Sequence, residues 1–196
     1  VSVVVDSGLA RLAEFDRAAG STHLVTRRAS QASAAQRAGR AARQGPGVAY
    51  RLWEEAGHAG RPEFVPAEIM QADLAPLLLR LAKWGTADPQ ALPWLDPPPE
   101  ASVAAARRAL QALGALDASG RITPLGEAIA SLPMAPDQAA AVLHGASAGC
   151  GEDAARLVML LQERGLGGRD EDLAQRLTRW RGDRAPRSVA AARIAE

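Results

Sequence analysis

Gln36-Arg37-Ala38-Gly39-Arg40-Ala41-Ala42-Arg43 is the stretch on which the reading of this chain turns. On an α-helix, at about 100° per residue, positions four and seven apart return to nearly the same direction. Gln36, Arg40 and Arg43 then share one face, while Arg37 and Ala38 point elsewhere. Such a face offers an amide and two guanidinium forks to one ligand. That is the equipment for holding a phosphoryl group in transfer, whose charge spreads over its oxygens. Arginine suits the task because its fork stays charged and bonds phosphate in a bidentate way. The same spacing also describes an arginine face turned to solvent, so pattern alone leaves both readings open.

Outward from this stretch, a helix over Gln31–Ala41 can take its N-cap from Ser30 or from Ser33. Ser33 with Gln36 has the form of a capping box, and Ser30 is an equal competitor. Gly45-Pro46-Gly47 ends the segment, and residues 48–53 read as a short strand. Upstream, Val1-Ser2-Val3-Val4-Val5 is a β-branched run of the kind buried on both faces of a sheet. No further βαβ units follow it, so its parallel neighbours are expected upstream, in a truncated α/β domain. Between the two lies a candidate hairpin, with residues 12–15 and 23–26 flanking Asp16-Arg17-Ala18-Ala19-Gly20.

Residues 54–66 hold Gly57, Gly60, Pro62 and Pro66 and mark the best candidate boundary. Beyond it the chain reads as helical. Asp73 can cap a helix over 74–84, with Pro76 in its first turn and Gly85 as its stop. After Pro97-Pro98-Pro99 a second helix over 101–113 has Val103, Ala106, Leu110 and Leu113 as its apolar stripe. Residues 116–122 read as a tight turn between two short strands, and Thr123 caps a new helix with Pro124 at its first position. Two helices and a small wing are the pattern of a winged helix. From Thr123 on, short helices separated by Pro133, Pro136, Gly149, Gly165 and Gly182 suggest a bundle.

Composition narrows the classes. A hydrophobic content of 47% can fill cores, and no run approaches the roughly eighteen apolar residues of a membrane span. The 23 basic and 22 acidic residues nearly cancel, so whole-chain charge does not announce a nucleic-acid binder. The charge is uneven: Arg27, Arg28, Arg37, Arg40 and Arg43 follow one another with no acid between them. Arg27 and Arg28, at the end of the hairpin, can touch nucleic-acid phosphates or simply end a solvated strand. Cys150, the single cysteine, excludes an intramolecular disulfide and fits a reducing compartment. No charged-then-apolar leader opens the chain, so the cytoplasm is the expected location. His23, His58 and His144 lack ligand spacing for a metal. Trp53, Trp84, Trp94 and Trp180 read as packing residues rather than base-stacking platforms.

Preceded by Ser30-Gln31-Ala32-Ser33-Ala34, the opening stretch resembles motif VI of the DEAH/RHA group of superfamily 2 helicases, Q-R-x-G-R-x-G-R. Val4-Val5-Asp6-Ser7-Gly8 resembles the strand after motif V, and residues 46–53 the last strand of the second RecA-like domain. Residues 68–77 and 94–99 resemble the family's winged-helix domain. Leu113-Gly114-Ala115-Leu116-Asp117, Leu125-Gly126 and Leu132-Pro133 carry the likeness into its helical domain. The resemblance implies a mostly α fold with a small α/β remnant. Its parts are a truncated RecA-like domain over 1–53 (strand, β-hairpin, helix, strand), a winged helix over 54–122, and a ratchet-like helical bundle over 123–196.

The resemblance also implies ATP hydrolysis coupled to translocation on single-stranded RNA. Gln36, Arg40 and Arg43 would bind ATP, with Arg40 and Arg43 as catalytic arginine fingers; RNA is the expected partner, and ATP with Mg2+ the expected ligands. Ala42 departs from the motif, standing where it has its last glycine. There is no G-x-x-x-x-G-K-[ST] loop and no D-E-x-H box, so the chain by itself is expected to be inactive. Two rivals are a free-standing winged-helix nucleic-acid-binding regulator and a helical adaptor without catalysis. The first lacks base-reading residues beside Arg107 and Arg108, and the second leaves Gln36, Arg40 and Arg43 unexplained.

Overall fold

In a computed structural model describing residues 1–16, 21–86, 88–163 and 165–195, the N-terminal β-branched run forms β1 (Val3–Asp6). A hairpin follows, β2 (Leu9–Asp16) with antiparallel β3 (Ser21–Arg28), in a register from Leu9 opposite Arg28 to Asp16 opposite Ser21. Both strands run beyond 12–15 and 23–26; the expected turn through Arg17 and Gly20 lies outside the described residues. Helix α1 (Gln31–Ala41) then returns the chain so that β4 (Val48–Arg51) pairs parallel with β1, Val3 opposite Val48 and Asp6 opposite Arg51. The expectation that β1 finds its parallel neighbours only upstream is therefore corrected. Helix α1 is the crossover that a parallel pair requires, and it packs on both strands.

Burial of β1 on both faces is corrected too. Successive strand residues point to opposite faces. Asp6 is 5% exposed on the face toward α1, whereas Val3 and Val5, with Val48 and Tyr50 beside them, form an exposed apolar face. Ser30 takes the cap of α1, its Oγ accepting the Ser33 amide at 3.1 Å, and Gln36 makes no capping-box bond. The helix ends at Ala41 with Ala42 as C-cap at φ −99° and ψ 14°. Any L-residue holds that conformation, so alanine in the motif's glycine position carries no strain. Gly47 is different: a Cβ there would collide with the Ala41 carbonyl, so the start of β4 can lie against the end of α1 only without a side chain. Within 54–66, the candidate boundary, one helical turn forms, α2 (Ala56–Ala59).

The chain divides into two compact units, Val1–Leu74 with Gln90–Ser102, and Ala75–Pro89 with Val103–Glu196. The second holds α3 (Ala75–Trp84), most of α4 (Glu100–Ala112), α5 (Pro124–Ser131), α6 (Pro136–Ser147), α7 (Gly151–Gln162), α8 (Leu173–Gly182) and α9 (Pro186–Ala195). Helix α3 buries Leu78, Leu79, Leu81 and Ala82; α4 buries Val103, Ala106 and Leu110, and Leu113 is half-buried. Both helices close on paired bonds from the residues that follow, Gly85 to Ala82 and Thr86 to Leu81, then Gly114 to Gln111 and Ala115 to Leu110.

The wing is smaller than two strands: one antiparallel bridge joins Leu116 to Ile122. Asp117 organises its tip, accepting from the Ser119 amide and hydroxyl and from the Arg121 amide. Thr123 accepts the Gly126 amide at 2.9 Å and donates to the Gly114 carbonyl at 2.6 Å, joining the start of α5 to the end of α4. Helices α5, α6 and α7 pack one on the next, and α7, α8 and α9 enclose a core of Leu160, Leu166, Trp180, Ala191 and Ala195. The Trp180 indole donates to the Ser188 carbonyl at 2.9 Å. Trp53 and Trp94 are half-buried, but Trp84 is 75% exposed, against the expectation of packing. It follows Ala82 by two positions, a step of about 200° that takes it off the buried stripe. No described helix is long and apolar enough to cross a membrane.

Candidate functional site

Helix α1 separates its arginines by face. Arg37 turns inward, donating to Asp6 Oδ1 at 2.7 Å and to the Leu9 carbonyl at 3.0 Å. The same Asp6 oxygen accepts the Gly8 amide at 2.8 Å. Gln36 and Arg40 are exposed and make no hydrogen bond or ion pair with the described residues. Arg43 is exposed and equally without a partner there, but it lies past the C-cap. The helical spacing that groups it with Gln36 and Arg40 therefore stops short of it, and the backbone after Ala42 decides where it reaches. Arg40 sits in the last helical turn, where a cation complements the macrodipole.

Arg27 and Arg28 have different situations. Arg27 forms a two-pronged pair with Glu14 across the hairpin, both contacts at 2.8 Å. Hydrogen bonding first, then charge, holds the Glu14 carboxyl below its usual range and the Arg27 guanidinium above its own. Arg28 is exposed and without a partner among the described residues. Gln36 and Arg40 are thus brought to one surface, and no bond joins that surface to Arg27 or Arg28.

Sequence reasoning missed Arg61. Its guanidinium, in a residue 7% exposed, donates to the Gly8 carbonyl at 2.7 Å and the Ala29 carbonyl at 3.1 Å, and lies 4.1 Å from the centroid of the Trp53 ring. Those two carbonyls flank the hairpin, whose root is closed by the Ala29 amide on Gly8 at 2.8 Å. Gly8, at φ 71°, can carry no Cβ, which would strike Arg61 and the Trp53 ring. No local pattern marks Arg61, since its partners are 32 and 53 residues away. Among the described residues no three His, Cys, Asp or Glu side chains gather as a metal site.

Residues 106–134, the end of α4 through the wing and α5, match the helicase associated domain (HA2), winged-helix. The chain is 40% identical over 164 residues to the ATP-dependent RNA helicase HrpB of Escherichia coli (strain K12), covering 83% of this chain and 20% of that protein. It is 35% identical over 181 residues to the pre-mRNA-splicing factor ATP-dependent RNA helicase prp22 of Schizosaccharomyces pombe, covering 91% of this chain and 15% of that one. The crystal structure of the Escherichia coli DEAH/RHA helicase HrpB superposes on 100% of the chain with a TM-score of 0.84 at 34% identity, using 24% of its own length. The chain thus spans about a fifth of the length of HrpB. Its winged helix and its whole fold agree: the chain is similar throughout to a segment of the DEAH/RHA helicases.

Proposed function

We propose that this chain is the part of an ATP-dependent RNA helicase that closes one side of the ATP site and grips the nucleic acid. Residues 1–53 act as the end of a second RecA-like domain, 54–122 as the winged helix and 123–196 as a ratchet-like bundle. Gln36, Arg40 and Arg43 hold the phosphates of ATP, and Arg40 and Arg43 meet charge that develops on the transferred phosphoryl group. Arg28 contacts single-stranded RNA, joined by Arg27 when it leaves Glu14. The protein works in the cytoplasm.

One observation carries this reading. On α1 the Gln36 and Arg40 side chains are exposed and unbonded to any described residue, while Arg37 is committed to the fold. The set offers guanidinium and amide N–H donors and holds no carboxylate, which fits a phosphate chain better than a cation. Mg2+ therefore has to be held by residues outside this set. The exposed apolar face of Val3, Val5, Val48 and Tyr50 is one that the covering helices of a complete RecA-like domain would bury. With no phosphate loop and no D-E-x-H box, the 196-residue chain alone shows only background phosphate release with saturating single-stranded RNA.

In the helicase polypeptide, Arg40→Ala or Arg43→Ala lowers RNA-stimulated ATP turnover by about 10³, the lower end for arginine fingers because two share the task. Lysine rescues poorly, since it keeps charge and loses the fork. Turnover of both alanine variants within threefold of the parent would reject the assignment.

A further inference from the structure

Two arginines fasten the β2–β3 hairpin at its root, and one of them belongs to the helix that carries Gln36 and Arg40. We infer that Arg37 and Asp6 form a joint through which α1 sets the position of the hairpin. Arg37 is then a positioning residue, and the joint couples a nucleotide at Gln36 and Arg40 to RNA at Arg27 and Arg28. The inference rests on the helicase reading and adds a route of coupling to it.

The geometry argues for a joint rather than a passive contact. Asp6 is 5% exposed, and its one bonded oxygen, Oδ1, takes both Arg37 and the Gly8 amide. Its Oδ2 is buried with no bond to the described residues. The charge of a buried carboxylate is therefore compensated chiefly through Arg37, and such a charge does not tolerate losing its partner. The same guanidinium nitrogen of Arg37 donates to the carbonyl of Leu9, the first residue of β2. Arg61 grips the carbonyls of Gly8 and Ala29, on the two sides of the root.

At its root the hairpin is thus held by directional polar bonds, and farther out the Phe15 amide donates to the Gln71 carbonyl at 3.1 Å. Arg37 follows Gln36 directly and precedes Arg40 by less than one turn. Any shift of α1 that follows from holding phosphate moves the donor that holds Leu9. Coupling between sites is reciprocal, so RNA on the hairpin must change nucleotide affinity by the factor that nucleotide changes RNA affinity.

The test measures that factor. In the helicase polypeptide of which this segment is proposed to be part, a fluorescent methylanthraniloyl-ADP is titrated with and without saturating oligo(U), and oligo(U) is titrated alone. The parent is compared with Asp6→Asn/Arg37→Gln, a neutral pair that can still hydrogen-bond, and with Arg37→Lys. Lysine keeps a cation beside Asp6, but its shorter side chain stops short of the position from which Nη1 serves both Asp6 and the Leu9 carbonyl, so a folded variant is at hand even where the neutral pair does not fold.

In the parent the factor is roughly fivefold or more, the lower end of measured couplings. In each folded variant it falls to within twofold of unity, while nucleotide and RNA affinities measured separately stay within threefold of the parent. A merely structural role would weaken both separate affinities together and would not remove their dependence alone. A factor retained in the folded variants, or absent in a parent that binds both ligands, overturns the joint and leaves the helicase reading standing. A parent that binds neither ligand overturns both.

Discussion

Arg37 and Arg40 stand on one helix and have opposite surroundings. Helical spacing separates their faces, but it cannot name the partner of Arg37, which is a carboxylate 31 residues earlier. Gly8 depends on distance in the same way. Its positive φ and the contacts a Cβ would make lead us to expect Gly8→Ala to destabilise the first unit by roughly 2–4 kcal/mol, from backbone strain plus overpacking against Arg61 and Trp53. Denaturant unfolding followed by Trp53 fluorescence measures this, and a loss below about 0.5 kcal/mol would contradict the packing described.

Asp117 provides a pH test at the same scale. The Ser119 hydroxyl foremost, then the Arg121 amide, lower its carboxyl from 3.8 to about 2. A depressed folded value contributes stability that is present above the unfolded value and is lost as pH falls through the folded one. The Ser119 and Arg121 amides, followed by NMR in the folded chain, should therefore hold their shifts at pH 4 and change with a midpoint at about pH 2. Asp117→Asn should remove that titration.

Among the elements, the choice of Ser30 over Ser33 as the cap of α1 was not readable, whereas the span of the helix was, from its length and its glycine-proline stop, which are local signals. The closing bonds of α3 and α4 were readable for the same reason. The pairing of β4 with β1 was not, since a parallel register is set by the crossover between the strands and not by either strand's own pattern. For the candidate site, composition and spacing isolate Gln36 and Arg40, whereas Arg43 depends on where the helix stops. The α8–α9 contact is likewise invisible locally: Trp180 reads as a packing residue, but its acceptor, the Ser188 carbonyl, does not show in the pattern. Trp180→Phe should cost about 1–3 kcal/mol by removing the indole donor from that buried contact. Thermal unfolding of the variant checks it, and an unchanged midpoint would show that water replaces the bond.

At the scale of the molecule, the exposed face of Val3, Val5, Val48 and Tyr50 is apolar and edged by strands with open hydrogen-bonding positions. Such surfaces associate. The isolated chain should self-associate through it, and Val5→Lys with Tyr50→Lys should raise the concentration at which light scattering appears by roughly tenfold, about 1.4 kcal/mol. Scattering that does not respond to these charges would place the contact elsewhere.

The grip of Arg61 on the hairpin root also bears on how this polypeptide can be dissected. The hairpin ends at Arg28, yet the side chain that spans its two flanking carbonyls comes from beyond α2. A truncation after residue 53 would retain every strand and α1 but remove the clasp, leaving the Gly8 and Ala29 carbonyls without their guanidinium donor and Trp53 without its stacked cation. Proteolysis within 54–60 would cut the tether that delivers Arg61. For the hairpin, the smallest self-sufficient piece therefore extends past its last strand, at least through Arg61 and on to the Pro62 and Glu63 carbonyls that receive the first amides of α1.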